Sequence, residues 1–187
     1  IRVPAHPAMQ ALLRATGRPL AAPSANASGS ISPTRAEHVL KSLGGRIPCI
    51  VDAGPTALGL ESTIVGMSGG ELRLLRPGPI DLAAPSNTGA KVVAPGMLAR
   101  HYAPAKPLRL DATEPGENEF VIGFGPVAGH ATLSASGNPI EAAARLFDLL
   151  HMAEDSACAS IAVAPIPETG LGRAIRDRLR RAAARES

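Results

Sequence analysis

The sequence predicts an α/β protein in two parts, and two observations lead to that prediction. In residues 105–187, short apolar runs alternate with amphipathic helical patterns, which is typical of a small unit with a parallel sheet. In residues 1–80, short helical patterns, strand patterns and loops rich in glycine and proline follow one another. Residues 81–104 between them have no usable period, so we predict a linker there.

Two short helices are predicted in the first part. One begins at Pro7, because proline suits the first turn of a helix, and ends at Gly17. The other has Ser32 as its N-cap and Pro33 as its first residue, with apolar residues at helical spacing up to the glycines that begin at Gly44.

The strand patterns of the first part follow the second helix. Strands are predicted over 47–51, 62–67 and 72–75. The glycine pair at 69–70 separates the last two strands, and two glycines in that position predict a hairpin turn.

The second part repeats strands and helices. Asn138 precedes a proline and an apolar face that includes Ile140, Phe147 and Leu150, so we predict a capped helix there. The remaining elements are predicted as strands over 108–110, 120–124 and 161–164 and a basic helix over 171–185.

Composition excludes several classes of protein. Apolar residues make up 45% of the chain, which is enough for a core, but three Phe, one Tyr and no Trp leave no aromatic platform for stacking bases. No run approaches the ~20 apolar residues that a membrane span needs, and no signal-peptide pattern is present, so we expect no membrane association and a cytoplasmic location.

Cys49 and Cys158 are predicted to be buried free thiols. The chain begins at Ile1 without a methionine, and we expect it to start inside a domain.

Positive charge is concentrated near the carboxyl end. Residues 173–185 contain six arginines and one aspartate, while the whole chain has a formal charge of +3. Such a helix is either a solvated face or a surface for a polyanion such as RNA.

Two loops have residues suited to binding a ligand. Residues 23–34 are small, uncharged and rich in serine, and they lead into a predicted helix, so backbone and hydroxyl donors could surround a phosphate or a carboxylate. Glu61 and Ser62 precede an apolar strand, at a position where open α/β sheets bind ligands. Both segments also fit ordinary connecting loops.

Two arginines and one tyrosine are further candidates. Arg2 and Arg76 each lie near a proline on a strand-like segment, where a guanidinium either binds an anion or forms a surface ion pair. Tyr102, the only tyrosine, lies in the predicted linker beside His101. A lone aromatic in a linker indicates packing on a neighbouring domain or on a site.

Four segments together resemble a known family. They are PLAAPSANASGSISPT (19–34), VDAGPTALGLESTIVG (51–66), LRLLRPGPI (72–80) and APGMLARHYAPAKPL (94–108). In this order they resemble the YrdC/YciO family, and more closely its two-domain form, the L-threonylcarbamoyladenylate synthases. The resemblance covers residues 1–108 and implies the C-terminal part of a YrdC-like twisted-sheet domain at 1–80. It also implies a linker or lid at 81–104 and a small Rossmann-like domain at 105–187.

The resemblance implies a reaction and a set of substrates. L-Threonine takes up CO2 from bicarbonate to form a carbamate, which attacks the α-phosphorus of ATP and releases pyrophosphate. The threonylcarbamoyl-AMP product would pass to a separate transferase complex that modifies tRNA. Mg2+ would accompany ATP. No residue would react covalently, because positioning and charge stabilisation suffice.

The resemblance also implies roles for single residues. Arg2 would pair with the threonine carboxylate, while Ala22 and Ser62 would line the threonine pocket. The implied ATP-binding residues, with Tyr102 as a lid, are Ser24, Ser32, Arg76 and Tyr102. Asn26, Glu61 and His101 are weaker candidates.

Part of the family's pattern is absent from this sequence. The family's first domain begins with a segment that carries further substrate-binding positions, and no such segment precedes Ile1. We therefore expect the sheet of residues 1–80 to lack strands and expose an edge, and this chain alone to have little activity.

Two alternatives to the synthase remain open at this point. The first is an RNA-binding protein without catalysis, which would bind tRNA or double-stranded RNA with steeply salt-dependent affinity. The second is the related carbamoyl-adenylate chemistry of hydrogenase maturation, which would require zinc-finger modules. Two cysteines argue against the second alternative.

Overall fold

A computed structural model describes residues 2–82 and 100–184. The first range contains two helices and a hairpin: α1 (Pro7–Thr16), α2 (Ala36–Leu43), β1 (Ile64–Ser68) and β2 (Glu71–Arg76). Gly17 ends α1 at a φ of 61°, and Gly69 and Gly70 connect β1 to β2 at φ values of 60° and 81°. A side chain is strained in this left-handed region, so glycine chemistry fixes both the helix end and the hairpin turn.

The second range forms a four-stranded parallel sheet with two helices. In chain order its elements are β3 (Leu108–Arg109), β4 (Glu119–Gly123), β5 (Ala131–Thr132), α3 (Pro139–Asp155), β6 (Ser160–Val163) and α4 (Leu171–Ala183). The strand order is β3-β6-β4-β5, and every pairing is parallel. The Asn138 side chain accepts hydrogen bonds from the N–H groups of Ile140 and Glu141, as the predicted cap requires. The prediction of a small parallel α/β unit is confirmed.

The main hydrophobic core lies in the second range. Leu146 and Phe147 of α3 pack with Ile122 and Ile161 of the sheet and with Ile175 of α4, and all five side chains are essentially inaccessible to solvent. Residues 2–82 contribute two large apolar side chains to this core, Ile31 and Leu60.

Eleven large apolar side chains of residues 2–82 are exposed, among them Val3 at 89%, Val51 at 75% and Met67 at 69%. Among the described residues, the first range therefore joins the main core chiefly through Ile31 and Leu60. Within the described ranges, no helix has both the length and the apolarity to cross a bilayer.

Helix α2 docks on α3 through polar and aromatic contacts. Arg35 donates two hydrogen bonds to the Asp148 carboxylate, at 2.6 and 2.7 Å. The rings of His38 and His151 stack with their centroids 3.7 Å apart, and Lys41 pairs with Asp155. These contacts fix the first range of the chain against the second.

Several local predictions are wrong. The segment 47–51 forms no strand, since no described strand pairs with it. Ser32 does not cap α2, which begins at Ala36, because its hydroxyl instead donates to Glu61. Ile140, predicted on the apolar face of the helix, is 65% exposed in the first turn of α3.

The cysteine prediction is partly wrong. Both thiols are free, but Cys49 is exposed and Cys158 is only half-buried. Cys49 lies in the segment that fails to form a strand, and that segment has no layer to cover it.

Candidate functional site

A buried polar cluster joins the serine-rich loop to helix α4. The Ser32 hydroxyl donates to Oε1 of Glu61, and the other carboxylate oxygen accepts from Nε of Arg178 at 2.9 Å. Ser32 is 8% exposed and Arg178 is fully buried. Glu61 therefore connects a loop of the first range to the last helix of the second.

The serine-rich loop is ordered by its own asparagine. The Asn26 side-chain amide donates to the carbonyl oxygens of Ser30 and Ile31, at 3.0 and 3.2 Å. Its side-chain oxygen is buried without a hydrogen-bond partner among the described residues. Asn26 thus shapes the loop that presents Ser32.

Tyr102 lies at the centre of the cluster. Its side chain is 1% exposed and its φ is 62°, a left-handed conformation that a bulky residue rarely adopts. The backbone is held on both sides, since His101 N–H donates to the Arg181 carbonyl at 3.2 Å and Ala103 N–H donates to the Gly29 carbonyl at 2.8 Å. The predicted lid residue therefore packs between the serine-rich loop and α4.

Arg76 ends strand β2 inside the same cluster. Its Nε and Nη2 donate to the Ser62 carbonyl oxygen at 3.1 and 2.8 Å, and its side chain is 4% exposed. The nearest strand residue of β1, Ile64, pairs with Arg76 in the hairpin register. The hairpin thus brings an arginine to the segment that begins with Glu61 and Ser62.

Burial changes the ionisation of the cluster. It raises the pKa of Tyr102, although Arg178 and Arg76 act in the opposite direction, and it lowers the pKa values of Arg76 and His101. Nδ1 of His101 is buried with no hydrogen-bond partner among the described residues, whereas the Tyr102 hydroxyl interacts with the Arg76 side chain. Buried polar atoms usually have partners, so the His101 nitrogen marks a place where a polar ligand would fit.

The structure brings together four of the seven residues predicted to bind substrates: Ser32, Ser62, Arg76 and Tyr102. Arg2, Ala22 and Ser24 are exposed, and within residues 2–82 and 100–184 no hydrogen bond or ion pair joins them to the cluster. Of the predicted linker, residues 83–99 lie outside the described residues.

Arg178 is the cluster residue that the sequence prediction missed. Of the two interpretations of the basic helix, a solvated face or a surface for a polyanion, both place its arginines at the surface, and this is wrong at Arg178, whose side chain is fully buried. Ile175 and Ala182 lie one turn before and after Arg178, and Leu179 follows it, so the arginine stands on the apolar face of α4. A charged residue at that position signals a buried partner, and this signal was available in the sequence.

The other described arginines of α4 also have acidic partners. Arg176 pairs with Asp111 at 2.6 Å, and Arg173 pairs with Asp81 at 2.5 Å. The remaining pairs are Arg180 with Glu168 and Arg181 with Asp177. Because these charges are neutralised within the protein, the helix does not favour the RNA-binding alternative.

The described residues offer little to a directly bound metal ion. No group of three or more His, Cys, Asp or Glu side chains is suitably placed within them. Glu61, the carboxylate of the cluster, is already shared between Ser32 and Arg178.

Comparison with known proteins places the chain among relatives of similar sequence. A family model described as "Threonylcarbamoyl-AMP synthase, C-terminal domain" matches residues 74–184, and one described as "Telomere recombination", for the Sua5, YciO and YrdC group, matches residues 1–78. The threonylcarbamoyl-AMP synthase of Bacillus subtilis is 37% identical over 98% of this chain. That of Pyrococcus abyssi is 34% identical over 97% of it.

Solved structures agree with this comparison. The crystal structure of Pyrococcus abyssi Sua5 complexed with L-threonine superimposes with a TM-score of 0.86 at 32% identity, covering 97% of this chain and 63% of that protein. A variant of the same protein in which an adjacent histidine and tyrosine are replaced by alanine gives a TM-score of 0.82. The chain spans 62% of the length of the Bacillus relative. The matching family models, the fold and the sequence identity together establish that this chain belongs to the threonylcarbamoyl-AMP synthase family.

Proposed function

We propose that this chain forms the nucleotide-facing part of an L-threonylcarbamoyladenylate synthase, a nucleotidyltransferase that acts on L-threonine, bicarbonate and ATP. The observation that carries the proposal is the cluster in which Ser32, Ser62, Arg76 and Tyr102 meet around Glu61 and Arg178. These residues come from five separate places in the chain. Buried arginines and a bulky residue at positive φ are costly, and such features cluster at functional sites.

The reaction has two steps whose atoms balance. The threonine amine attacks the carbon of CO2 and loses a proton, which gives a carbamate. A carbamate oxygen then attacks the α-phosphorus of ATP, the bond to the bridging oxygen of the β-phosphate breaks, and pyrophosphate leaves with the electron pair. Negative charge is spread over phosphoryl oxygens throughout, so nearby cations and hydroxyl donors provide the main catalysis.

The chain's own residues suit the nucleotide side of this reaction. Arg76 is a buried guanidinium, and its interaction with an anion is stronger there than in water. In the serine-rich loop the Ser24 hydroxyl is exposed and available to a phosphate, whereas the Ser32 hydroxyl donates to Glu61 and would have to turn from that carboxylate to meet one. Mg2+ would enter with ATP and shield its phosphates.

The threonine side would use residues at the edge of the cluster. Ser62 lies beside Arg76, with its hydroxyl 3.4 Å from Nη2. Arg2 and Ala22 are exposed, which leaves the Arg2 guanidinium free to meet a carboxylate from solution. The structure of the Pyrococcus relative with L-threonine supports threonine as the amino acid.

The histidine and tyrosine before Ala103 would act as a lid. The alanine variant of the Pyrococcus relative replaces an adjacent histidine and tyrosine, and His101-Tyr102 is the sole such pair in this chain. A downstream transferase would then consume threonylcarbamoyl-AMP and modify tRNA. Free cysteines and a nucleotide substrate fit the cytoplasm as its location.

The test is pyrophosphate release from ATP in the presence of bicarbonate, measured with and without L-threonine. Because the chain spans 62% of the Bacillus relative, the assay uses both this chain and a fusion that adds the amino-terminal part of that relative. We expect threonine-dependent release from the fusion and little release from the chain alone. Release that does not depend on threonine, or no release by the fusion, would refute the proposal.

A pair of variants checks that the described cluster is responsible. Ser32→Ala in the fusion should lower kcat/KM for ATP about tenfold or more, since it removes a hydroxyl whose hydrogen bond to a charged group, Glu61 or a phosphate, is worth about 1.5–3 kcal/mol. Ser28→Ala is the matched control, because Ser28 is an exposed serine of the same loop. Equal effects of the two substitutions would argue against a site at the cluster.

A further inference from the structure

Arg178 uses its guanidinium on several partners at once. Nε donates to the Glu61 carboxylate at 2.9 Å, Nη2 lies 3.4 Å from the Glu61 backbone oxygen, and Nη1 donates to Asp177 at 2.8 Å. The side chain is fully buried in the described structure. A buried arginine with such partners is fixed in position, because each lost contact would leave a desolvated charge.

The same guanidinium lies over the Tyr102 ring. Its central carbon is 5.2 Å from the ring centroid, which is within the range of a cation–π contact. The φ of 62° at Tyr102 has an energetic cost that the surrounding contacts must offset. Arg178 and the Arg181 carbonyl, which accepts from His101 N–H, are the contacts that α4 supplies.

The ion pair extends the influence of Arg178 to the serine-rich loop. Glu61 accepts from Arg178 with one carboxylate oxygen and from the Ser32 hydroxyl with the other. If Arg178 were removed, the Glu61 carboxylate would lose its hydrogen-bonded countercharge and would be held less firmly beside Ser32. One side chain of α4 therefore contacts both Tyr102 and the carboxylate that holds Ser32.

We propose that Arg178 is a positioning residue that fixes Tyr102 and, through Glu61, Ser32 in the arrangement that binds ATP. Helix α4, which lies outside the domain that resembles YrdC, thereby controls the nucleotide side of the site. The kinetic part of this inference rests on the proposed function, whereas the structural part does not.

The geometry demands a guanidinium rather than a positive charge alone. A lysine ammonium cannot donate to the Glu61 side chain and to Asp177 from two separate nitrogens, and it cannot lie flat over the ring. Arg178→Lys should therefore release Tyr102 almost as much as Arg178→Met does. A role that needed only charge would be preserved by lysine.

Tyrosine fluorescence tests the structural part in the chain as it is. The sequence has one tyrosine and no tryptophan, so the emission reports Tyr102 alone. Quenching by acrylamide should be slow in the unmodified chain, where Tyr102 is 1% exposed, and at least threefold faster in Arg178→Met. The control is Arg180→Met, at an exposed arginine of the same helix that pairs with Glu168. Unchanged quenching in Arg178→Met overturns the proposal.

Glu61→Gln changes the other partner of the Arg178–Glu61 ion pair. It provides a second test in case Arg178→Met does not fold. Glutamine keeps the shape of Glu61 but removes the charge that holds the guanidinium. Circular dichroism must show a native helix content in each variant. With the fold intact, faster quenching in Glu61→Gln supports the proposal, and unchanged quenching in both variants refutes it.

Kinetics in the fusion protein distinguish positioning from general damage. In the fusion that carries Arg178→Met, kcat/KM for ATP should fall at least tenfold, because Arg178 acts on Ser32 and Tyr102. The KM for L-threonine should stay within twofold of the value for the unmodified fusion. Equal losses for both substrates would refute a role on the nucleotide side. If the unmodified fusion itself releases no pyrophosphate, the proposed function fails, and the fluorescence result still decides the role of Arg178.

Discussion

Gly59 is a position where the structure predicts a large effect of a small change. It is buried just before Leu60 and Glu61, and its φ is 68°. A Cβ added there would lie 2.2 Å from the Ala143 carbonyl oxygen and 2.6 Å from the Ala144 Cα, both on helix α3. These are backbone atoms, so no side-chain rotation can relieve the contact. Gly59→Ala must push the loop away from the helix.

The cost of Gly59→Ala has two separable parts. A left-handed alanine costs about 1 kcal/mol. Restoring ordinary van der Waals distance at the carbonyl needs a shift of roughly 1 Å, which forfeits part of the packing of the loop on the core. Leu60, which is 8% exposed, would lose about 2 kcal/mol of burial. We expect a total destabilisation of about 3 kcal/mol.

The control separates close approach from backbone strain. Gly17 has a φ of 61°, and an added Cβ there would meet nothing within 4 Å. Gly17→Ala should cost about 1 kcal/mol, or about 2–4 °C in Tm for a chain of this size, and Gly59→Ala about three times as much. Thermal unfolding followed by circular dichroism measures both. Equal shifts in Tm would refute the argument from close approach.

Three further predictions concern the second part of the chain. Burial, and to a smaller extent the charge of His38, lowers the pKa of His151 to about 4. In the unfolded chain the same histidine has a pKa near 6.5, so its protonation favours the unfolded chain. Stability should therefore fall as the pH drops from about 6.5 to 4, by ~1.5 kcal/mol after allowance for partial solvent screening, and urea titrations of His151→Gln should show a flatter pH slope. Asn138→Ala removes the cap of α3 and should cost about 1 kcal/mol, while Asn138→Ser should retain most of the stability in the same urea titration. Leu146→Ala leaves a cavity at a fully buried position and should lower the free energy of unfolding by about 2–5 kcal/mol. Met152→Ala is the control, because Met152 is 50% exposed and its loss should change that free energy by less than about 0.5 kcal/mol. Similar values for the two variants would contradict the assigned core.

Elements with a local chemical cause were predictable from the sequence. Gly17 ends α1, the pair Gly69 and Gly70 turns the hairpin, and Asn138 caps α3, because each feature depends on residues within a few positions. The alternating pattern of residues 105–187 likewise predicted a parallel sheet. The segment 47–51 has strand-like composition, but a strand also needs a neighbour, and that requirement is not local.

The candidate site was predictable only in part, because its contacts join distant segments. Ser32 was expected to cap a helix, yet its hydroxyl is used by Glu61, 29 positions away. Arg178 reaches Glu61 across 117 positions. Sequence motifs identified Ser32, Ser62, Arg76 and Tyr102 as candidates through resemblance, while the contact that organises them appears only in three dimensions.

The uneven distribution of buried apolar side chains has a consequence for how long the cluster persists. Residues 2–82 contribute Ile31 and Leu60 to the main core, whereas the second range supplies all its other buried residues, most of them from α3, α4 and the parallel sheet. Local opening is easiest where few apolar contacts must be broken, so amide hydrogens of the first range should exchange with solvent sooner than those of β4 and β6. The cluster needs Ser32 and Glu61 from the weakly anchored range as well as Arg178 from the strongly anchored one. We therefore expect the lifetime of the cluster to be set by the undocking of residues 2–82, before the chain unfolds globally.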